Sequence, residues 1–361
     1  MISQSALSTI EYANARVRSH RARLFKQADY DDMMGQASLE QLRVYLGFTK
    51  YASDIEENSL TRTGASVVGF AVNSFLQNEF EWVSKFYTTA KRRLIDAIAG
   101  EWDFADLKTV VRGIYSGTSP EEIIASFSGA GIVISREALS MLAKQKSLQD
   151  AVALASTLNF PYANALRLGA ERFAITEALV EFEASLDQAY FAWALGLLDH
   201  RRGRNSVVYT YIREKIDIRN IMTLARVIVS NETFGTRNEA ARYFLIGGTA
   251  VTDAKMFARL AALPSLEDLA RALGTIPLRK VIRSEIAEYL ISDSLSELDR
   301  ALNLYSLRKV VKIGHRDLAG VGLPIAYLLA LENETIDIRI IAYAKAYGIP
   351  DSMIREEIAL V

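Results

Sequence analysis

One helix signature occurs three times along this chain at intervals the size of a small domain. Asp103-Phe104-Ala105-Asp106-Leu107-Lys108-Thr109-Val110-Val111-Arg112 aligns with Asp217-Ile218-Arg219-Asn220-Ile221-Met222-Thr223-Leu224-Ala225-Arg226. Both align with Glu334-Thr335-Ile336-Asp337-Ile338-Arg339-Ile340-Ile341-Ala342-Tyr343, and the steps are 114 and 117 residues. A second signature alternates with the first: Ser38-Leu39-Glu40-Gln41, Ser147-Leu148-Gln149-Asp150 and Ser265-Leu266-Glu267-Asp268, at steps of 109 and 118 residues. Solenoid units recur every ~20–50 residues, so these periods describe whole domains. At 361 residues the chain also exceeds what one core comfortably supports.

Apolar residues within the copies fall three and four apart, the spacing of one helix face. Phe104, Leu107, Val110, Val111 and Ile114 form a stripe that Ile218, Ile221, Leu224, Ala225 and Ile228 repeat position for position. Thr335, Ile338, Ile341, Ala342 and Lys345 repeat it more weakly. The opening acids, Asp103, Asp217 and Glu334, read as helix starts, where a side-chain acceptor and a negative charge are favoured. Ser38, Ser147 and Ser265, each followed three residues on by Gln or Asp, read as capping boxes of short helices running toward Thr49, Thr157 and Thr275. Ser119-Pro120-Glu121-Glu122 is a stronger box with proline at the first helical position. Longer helices are predicted over 75–98, 176–198 and 294–313. Strand signals are confined to residues 131–134 and 206–209, too short and isolated for a sheet, so the chain is predicted to be all-α. The alternating signatures leave two phases open: three linear units, or two whole units plus one divided between the termini.

The residues argue against several chemistries. Lys+Arg 42 against Asp+Glu 43 gives a net charge of −1, which provides no steering toward nucleic acid. The absence of cysteine excludes disulfides, thiolate metal sites and a thiol nucleophile. His20, His200 and His315 lack a second ligand at metal spacing, and no metal site is expected. Gly129-Ala130-Gly131, Gly247-Gly248 and Gly320-Val321-Gly322 continue into neither a phosphate-binding loop nor a dinucleotide-binding turn and read as helix-to-helix turns. No catalytic constellation, cofactor site or small-molecule substrate site emerges. The N terminus lacks the charged-then-apolar pattern of a secretory signal. The apolar runs at 189–198 and 318–331 fall short of a membrane span.

Two basic segments stand out. Arg16, Arg18, Arg21 and Arg23 are spread around a helix over residues 12–25, as on a solvated or salt-bridged face. Arg201, Arg202 and Arg204 cluster around Gly203 in what reads as a loop between two helices, a candidate partner-docking contact.

Taken together, YANARVRSHRARLF (12–25), FADLKTVVRGIYSGTSPEEI (104–123), EKIDIRNIMTLAR (214–226), FLIGG (244–248) and YLLALENETIDIRIIAYAKAYGIPDSMI (327–354) resemble the C subunit of the archaeal-type and vacuolar-type rotary ATPases, the family that includes the eukaryotic d subunit. Two departures are visible: Ile246 stands where the family commonly has proline before the paired glycines, and Tyr343 replaces the arginine of the other two copies. The resemblance implies three pseudo-equivalent helical domains forming a funnel with approximate threefold symmetry. These are 61–167, 168–289, and 290–361 together with 1–60. It further implies a non-catalytic component on the cytoplasmic face of the membrane, between a rotor ring of proteolipid (c/K-type) subunits and the D and F subunits of the central shaft. Membrane association would then come through the complex only, coupling proton or sodium transport to ATP synthesis or hydrolysis performed elsewhere. The contrasting reading from residues alone is a helical scaffold that binds other proteins.

Overall fold

The computed structural model describes residues 4–87, 89–127, 131, 134–158, 160, 162–229, 239–274, 276–292, 294–317 and 320–359. Among these residues every regular element is a helix, as the proline-poor, 3.6-periodic sequence predicts. The chain forms two compact units, Met1–Ile95 with Leu307–Val361, and Asp96–Ser306.

In the first unit the central element is the Gly322–Tyr347 helix, packed along Ala65–Ser84 and against Gln4–Arg21, Leu39–Leu46 and Asp351–Glu357. Leu323, Ile325, Ala326, Tyr327, Leu328, Leu329 and Leu331 are all buried, the mark of a helix surrounded by others rather than one lying on a surface. In the second unit Val207–Val229 takes the central place against Leu179–Leu198, Ala254–Ala261 and Leu266–Ala272. Its stripe of Ile218, Ile221, Leu224 and Ala225 is buried with Phe257, Leu260, Leu269 and Ile282. Each fully buried Leu or Ile stabilises the fold by about 1.5–3 kcal/mol, so the repeated stripe accounts for much of the cohesion. Phe104, on the first copy, instead meets the rings of Tyr162 and Tyr190 at 4.3 and 5.4 Å.

The serine signatures behave as helix caps: Ser38, Ser147 and Ser265 accept from the backbone N–H of Gln41, Asp150 and Asp268 at 3.2, 3.1 and 3.1 Å. In the Ser119 box both reciprocal bonds form, each at 3.3 Å. Thr275 lies outside the described residues, as do Ile132 and Val133 of one strand signal. The other signal is helical, with Val207 and Val208 opening Val207–Val229.

Two expectations are corrected. The helix predicted over 75–98 is two helices, Ala65–Ser84 and Thr89–Ser116, parted by a turn at Lys85 and Phe86 that no Gly or Pro announces. The opening acids of the signatures do not start helices. Asp103 lies well inside Thr89–Ser116, Asp217 inside Val207–Val229 and Glu334 inside Gly322–Tyr347, with exposures of 0, 2 and 3 %. Each helix runs through its acid, even past Gly100 before Asp103, and the partners of the acids come from elsewhere in the chain.

Candidate functional site

A carboxylate buried in mid-helix must find donors or bear a large desolvation cost. All three signature acids find them in backbone amides of irregular segments. Asp103 accepts from the N–H groups of Gly131 and Ile134 at 2.9 and 3.3 Å. Asp217 accepts from the N–H groups of Thr249 and Ala250, each at 2.8 Å, and from the Thr249 hydroxyl at 2.6 Å. The turn can approach this closely because residue 248 is glycine: a Cβ there would collide with Asp217 Oδ1. Glu334 accepts from the Phe25 N–H and the Tyr51 hydroxyl, each at 2.6 Å.

In the second and third copies another polar side chain, one helical turn on, continues the clasp. Asn220 exchanges two 2.9 Å bonds with the backbone of Leu245. Asp337 accepts from the Ala359 N–H at 3.0 Å. Burial, reinforced by the charge of Glu334 and opposed by the Ala359 and Tyr30 bonds, lifts the Asp337 carboxyl to about 6. Asp106 is buried at the corresponding position. These i, i+3 pairs share one helix face and show in the sequence as polar interruptions of the apolar stripe.

Glu334 has a further partner that no motif singles out. Lys50 Nζ lies 2.6 Å from its Oε1, both side chains nearly inaccessible, and donates to the Arg23 carbonyl at 2.9 Å. The rings of Phe25, Tyr51 and Phe75 surround the ammonium at 4.8, 5.3 and 5.9 Å. Burial pulls the Lys50 amine below its ordinary range, with Glu334 the main opposing influence.

The basic cluster is not a loop, which corrects the sequence reading. Arg201–Arg204 is a short helical turn between Leu179–Leu198 and Val207–Val229. His200 caps it, its Nδ1 accepting from the Gly203 N–H at 3.0 Å, and a side chain at Gly203 would collide with the Leu198 carbonyl. Arg201 is exposed. Arg204, also exposed, donates from Nε to Asp199 at 2.8 Å. The Arg202 side chain lies outside the described residues.

Within the Asp96–Ser306 unit, the two signature arginines Arg112 and Arg226 line one groove of about 360 Å³, with Lys108, Glu183, Asp187 and Arg219. Arg112 grips Glu183 through two bonds of 2.6 and 2.8 Å, and Lys108 pairs with Asp187. Ala105, Val180, Ala184 and Leu245 line the groove beside these charged groups. Tyr343, the third-copy counterpart of these arginines, sits instead beside Gly69, where its hydroxyl would be 3.9 Å from an added Cβ. Among the described residues no cluster of His, Asp and Glu could hold a metal ion, and no helix is long and apolar enough to cross a membrane.

The family described as ATP synthase (C/AC39) subunit matches residues 13–357. Among similar proteins, the C subunit of the V-type ATP synthase of Deinococcus radiodurans is 26% identical over 358 residues, covering 96% of this chain and 90% of that protein. The C subunit of the A-type ATP synthase of Haloferax volcanii is 26% identical over 358 residues, covering 98% of each. That of Methanocaldococcus jannaschii is 24% identical over 351 residues, covering 97% of this chain and 86% of that protein. The match takes in all three signature helices, and the chain belongs to the ATP synthase (C/AC39) subunit family.

Proposed function

We propose that this chain is a non-catalytic central-rotor component of an A-type/V-type ATP synthase. In this reading it sits on the cytoplasmic face of the membrane and links the rotor ring to the D and F subunits of the central shaft, passing torque between ion flow and ATP chemistry carried out elsewhere. The observation that carries the reading is the near full-length family match, and the construction of the molecule supports it. A transmission part needs stiffness, and each signature helix is pinned in mid-span by a buried polar clasp as well as by its apolar stripe. Helices fixed by close packing and satisfied polar networks transmit strain instead of absorbing it. The three-domain division at 61–167, 168–289, and 290–361 with 1–60 belongs to this proposal.

The test is mild purification of the native complex with its components identified. Recovery of this chain with a proteolipid ring and with the D and F subunits is expected; a chain that binds neither, or ion pumping unchanged by its removal, would refute the proposal. Arg201, Arg202 and Arg204 are proposed as one docking contact. Replacing all three with alanine should weaken assembly with hydrogen exchange across 179–229 unchanged, and intact assembly would reject that placement.

A further inference from the structure

Beside the turn that joins the Leu266–Ala272 and Leu278–Ser292 helices lies a groove of about 330 Å³. Its walls are Arg271, Arg279 and Arg283, with Glu267 the one carboxylate and Ala270 and Ile286 the apolar part. Arg271 donates to Asp268 at 2.6 Å. Arg279 donates to the Gly274 carbonyl at 2.8 Å, which fixes its guanidinium at the turn, and its buried Nε has no acceptor among the described residues. Arg283, one helical turn on, is exposed. Among the described residues neither Arg279 nor Arg283 has an ion pair, and Arg283 makes no hydrogen bond. The fold gains nothing from placing these two charges together. Like charges four apart on a helix oppose each other. Arg279 also stands in the first turn of Leu278–Ser292, where the helix dipole disfavours a cation and no acidic residue offsets it. The repeat supplies a second line of evidence. With Ser147 set on Ser265 and Thr157 on Thr275, the counterparts of Arg271, Arg279 and Arg283 are Ala153, Pro161 and Ala165. The shared architecture is therefore built elsewhere in this chain without any of the three cations.

We infer that this groove binds a phosphate group, held by the guanidinium groups of Arg279 and Arg283, with Arg271 as a third cation shared with Asp268. Charge decides between anions. A phosphate carries about −1.5 to −2 at neutral pH, which matches two arginines that have no acidic partner, whereas one carboxylate would leave one of them uncompensated. Guanidinium forks also fit the several oxygens of a phosphate through parallel hydrogen bonds. Glu267 opposes the ligand, so its removal should tighten binding. The inference does not depend on the rotor reading.

The test titrates inorganic phosphate into the full-length chain at fixed ionic strength, followed by calorimetry. Saturable binding at one site is expected. Arg283→Gln should weaken it roughly tenfold, the loss of one charged donor, and Arg283→Lys by less. Glu267→Gln should tighten it, and Arg112→Gln, in the other groove, should leave it unchanged. No saturable binding, equal affinity in Arg283→Gln, or an equal loss in Arg112→Gln overturns the inference. Free phosphate should bind whichever source the group has in the cell, and vesicles separate the two. Flotation with phosphatidylcholine vesicles containing phosphatidic acid, lost in Arg283→Gln, assigns a lipid headgroup; phosphate binding without flotation assigns a soluble anion. Should Arg283→Gln not fold, hydrogen exchange of the wild type decides. Phosphate should slow exchange across 266–292 and leave 207–229 unchanged, and equal slowing in both segments refutes the site.

Discussion

Lys50→Met removes a cation from a place almost without solvent. The ammonium is 2.6 Å from Glu334 Oε1, with side-chain exposures of 5 and 3 %. Deleting one member of a buried ion pair costs about 3–5 kcal/mol, because the other charge stays behind without compensation. Glu334 keeps its bonds from the Phe25 N–H and the Tyr51 hydroxyl, which places the loss near the lower end. The cation–π attraction of three rings is worth about 0.5–2 kcal/mol, and the thioether of Met against the same rings returns about 0.3–1.5. The net expectation is a loss of about 3 kcal/mol. Glu334→Gln added to Lys50→Met makes the site neutral, with a coupling of about 2 kcal/mol between the two substitutions.

A chain of two compact units does not unfold in one step, so a global melting temperature is the wrong readout. Hydrogen exchange resolved on peptides spanning 22–60 and 322–347 reports opening of the segment held by Glu334. Lys50→Met should lower the opening free energy there and leave peptides from 207–229 unchanged. A loss under about 1 kcal/mol, or a double variant whose loss equals the sum of the singles, would refute the ion-pair argument.

Gly248→Ala should cost about 1–3 kcal/mol in the Asp96–Ser306 unit by forcing the turn off Asp217, and much less when Asp217 is already alanine; equal costs in both backgrounds, measured by urea unfolding, would show that the clash is not what matters. Asp337 predicts a pH dependence. Its carboxyl is raised to about 6 from an ordinary 3.8, so the stability it contributes is fully present below pH 3.8 and is lost as pH rises through about 6. A shift of about two units corresponds to roughly 3 kcal/mol. Asp337→Asn should therefore gain on the wild type by up to that amount between pH 4 and 7, and parallel pH–stability curves would contradict the assignment.

The apolar stripes are legible because burial leaves a local, periodic trace: Leu107, Ile221 and Ile338 fall where the 3.6 period places them, and all are buried. The signature acids mislead because an acid at a helix start and an acid inside a helix look alike locally. What distinguishes them is the partner, and Thr249 stands 32 residues from Asp217 while Phe25 stands 309 from Glu334. Lys50 is illegible for the same reason. Nothing near it in sequence reveals that it meets Glu334 beneath three rings. The Arg201–Arg204 turn escapes local patterns because His200 acts as a cap through Nδ1, a role those patterns assign to Ser, Thr, Asp and Asn.

The clasps also bear on the phase of the repeat, which the alternating signatures leave open. In the first two copies the opening acid reaches downstream: from Asp103 to Gly131, 28 residues on, and from Asp217 to Thr249, 32 residues on. The second polar position reaches downstream in the later copies, from Asn220 to Leu245 by 25 residues and from Asp337 to Ala359 by 22. Glu334 turns the other way and takes its amide from Phe25 and its cation from Lys50. The same geometric role is thus filled by a segment at the opposite end of the chain, in keeping with the proposed unit divided between the termini. In that proposal the Lys50–Glu334 pair is where the third copy is joined. A circular permutant that opens the chain in the turn between Ser84 and Thr89 and links the present termini should keep that join, whereas removal of residues 1–60 should expose the Gly322–Tyr347 helix and abolish folding of its unit. A truncated chain that still protects residues 322–347 from exchange would refute the divided unit.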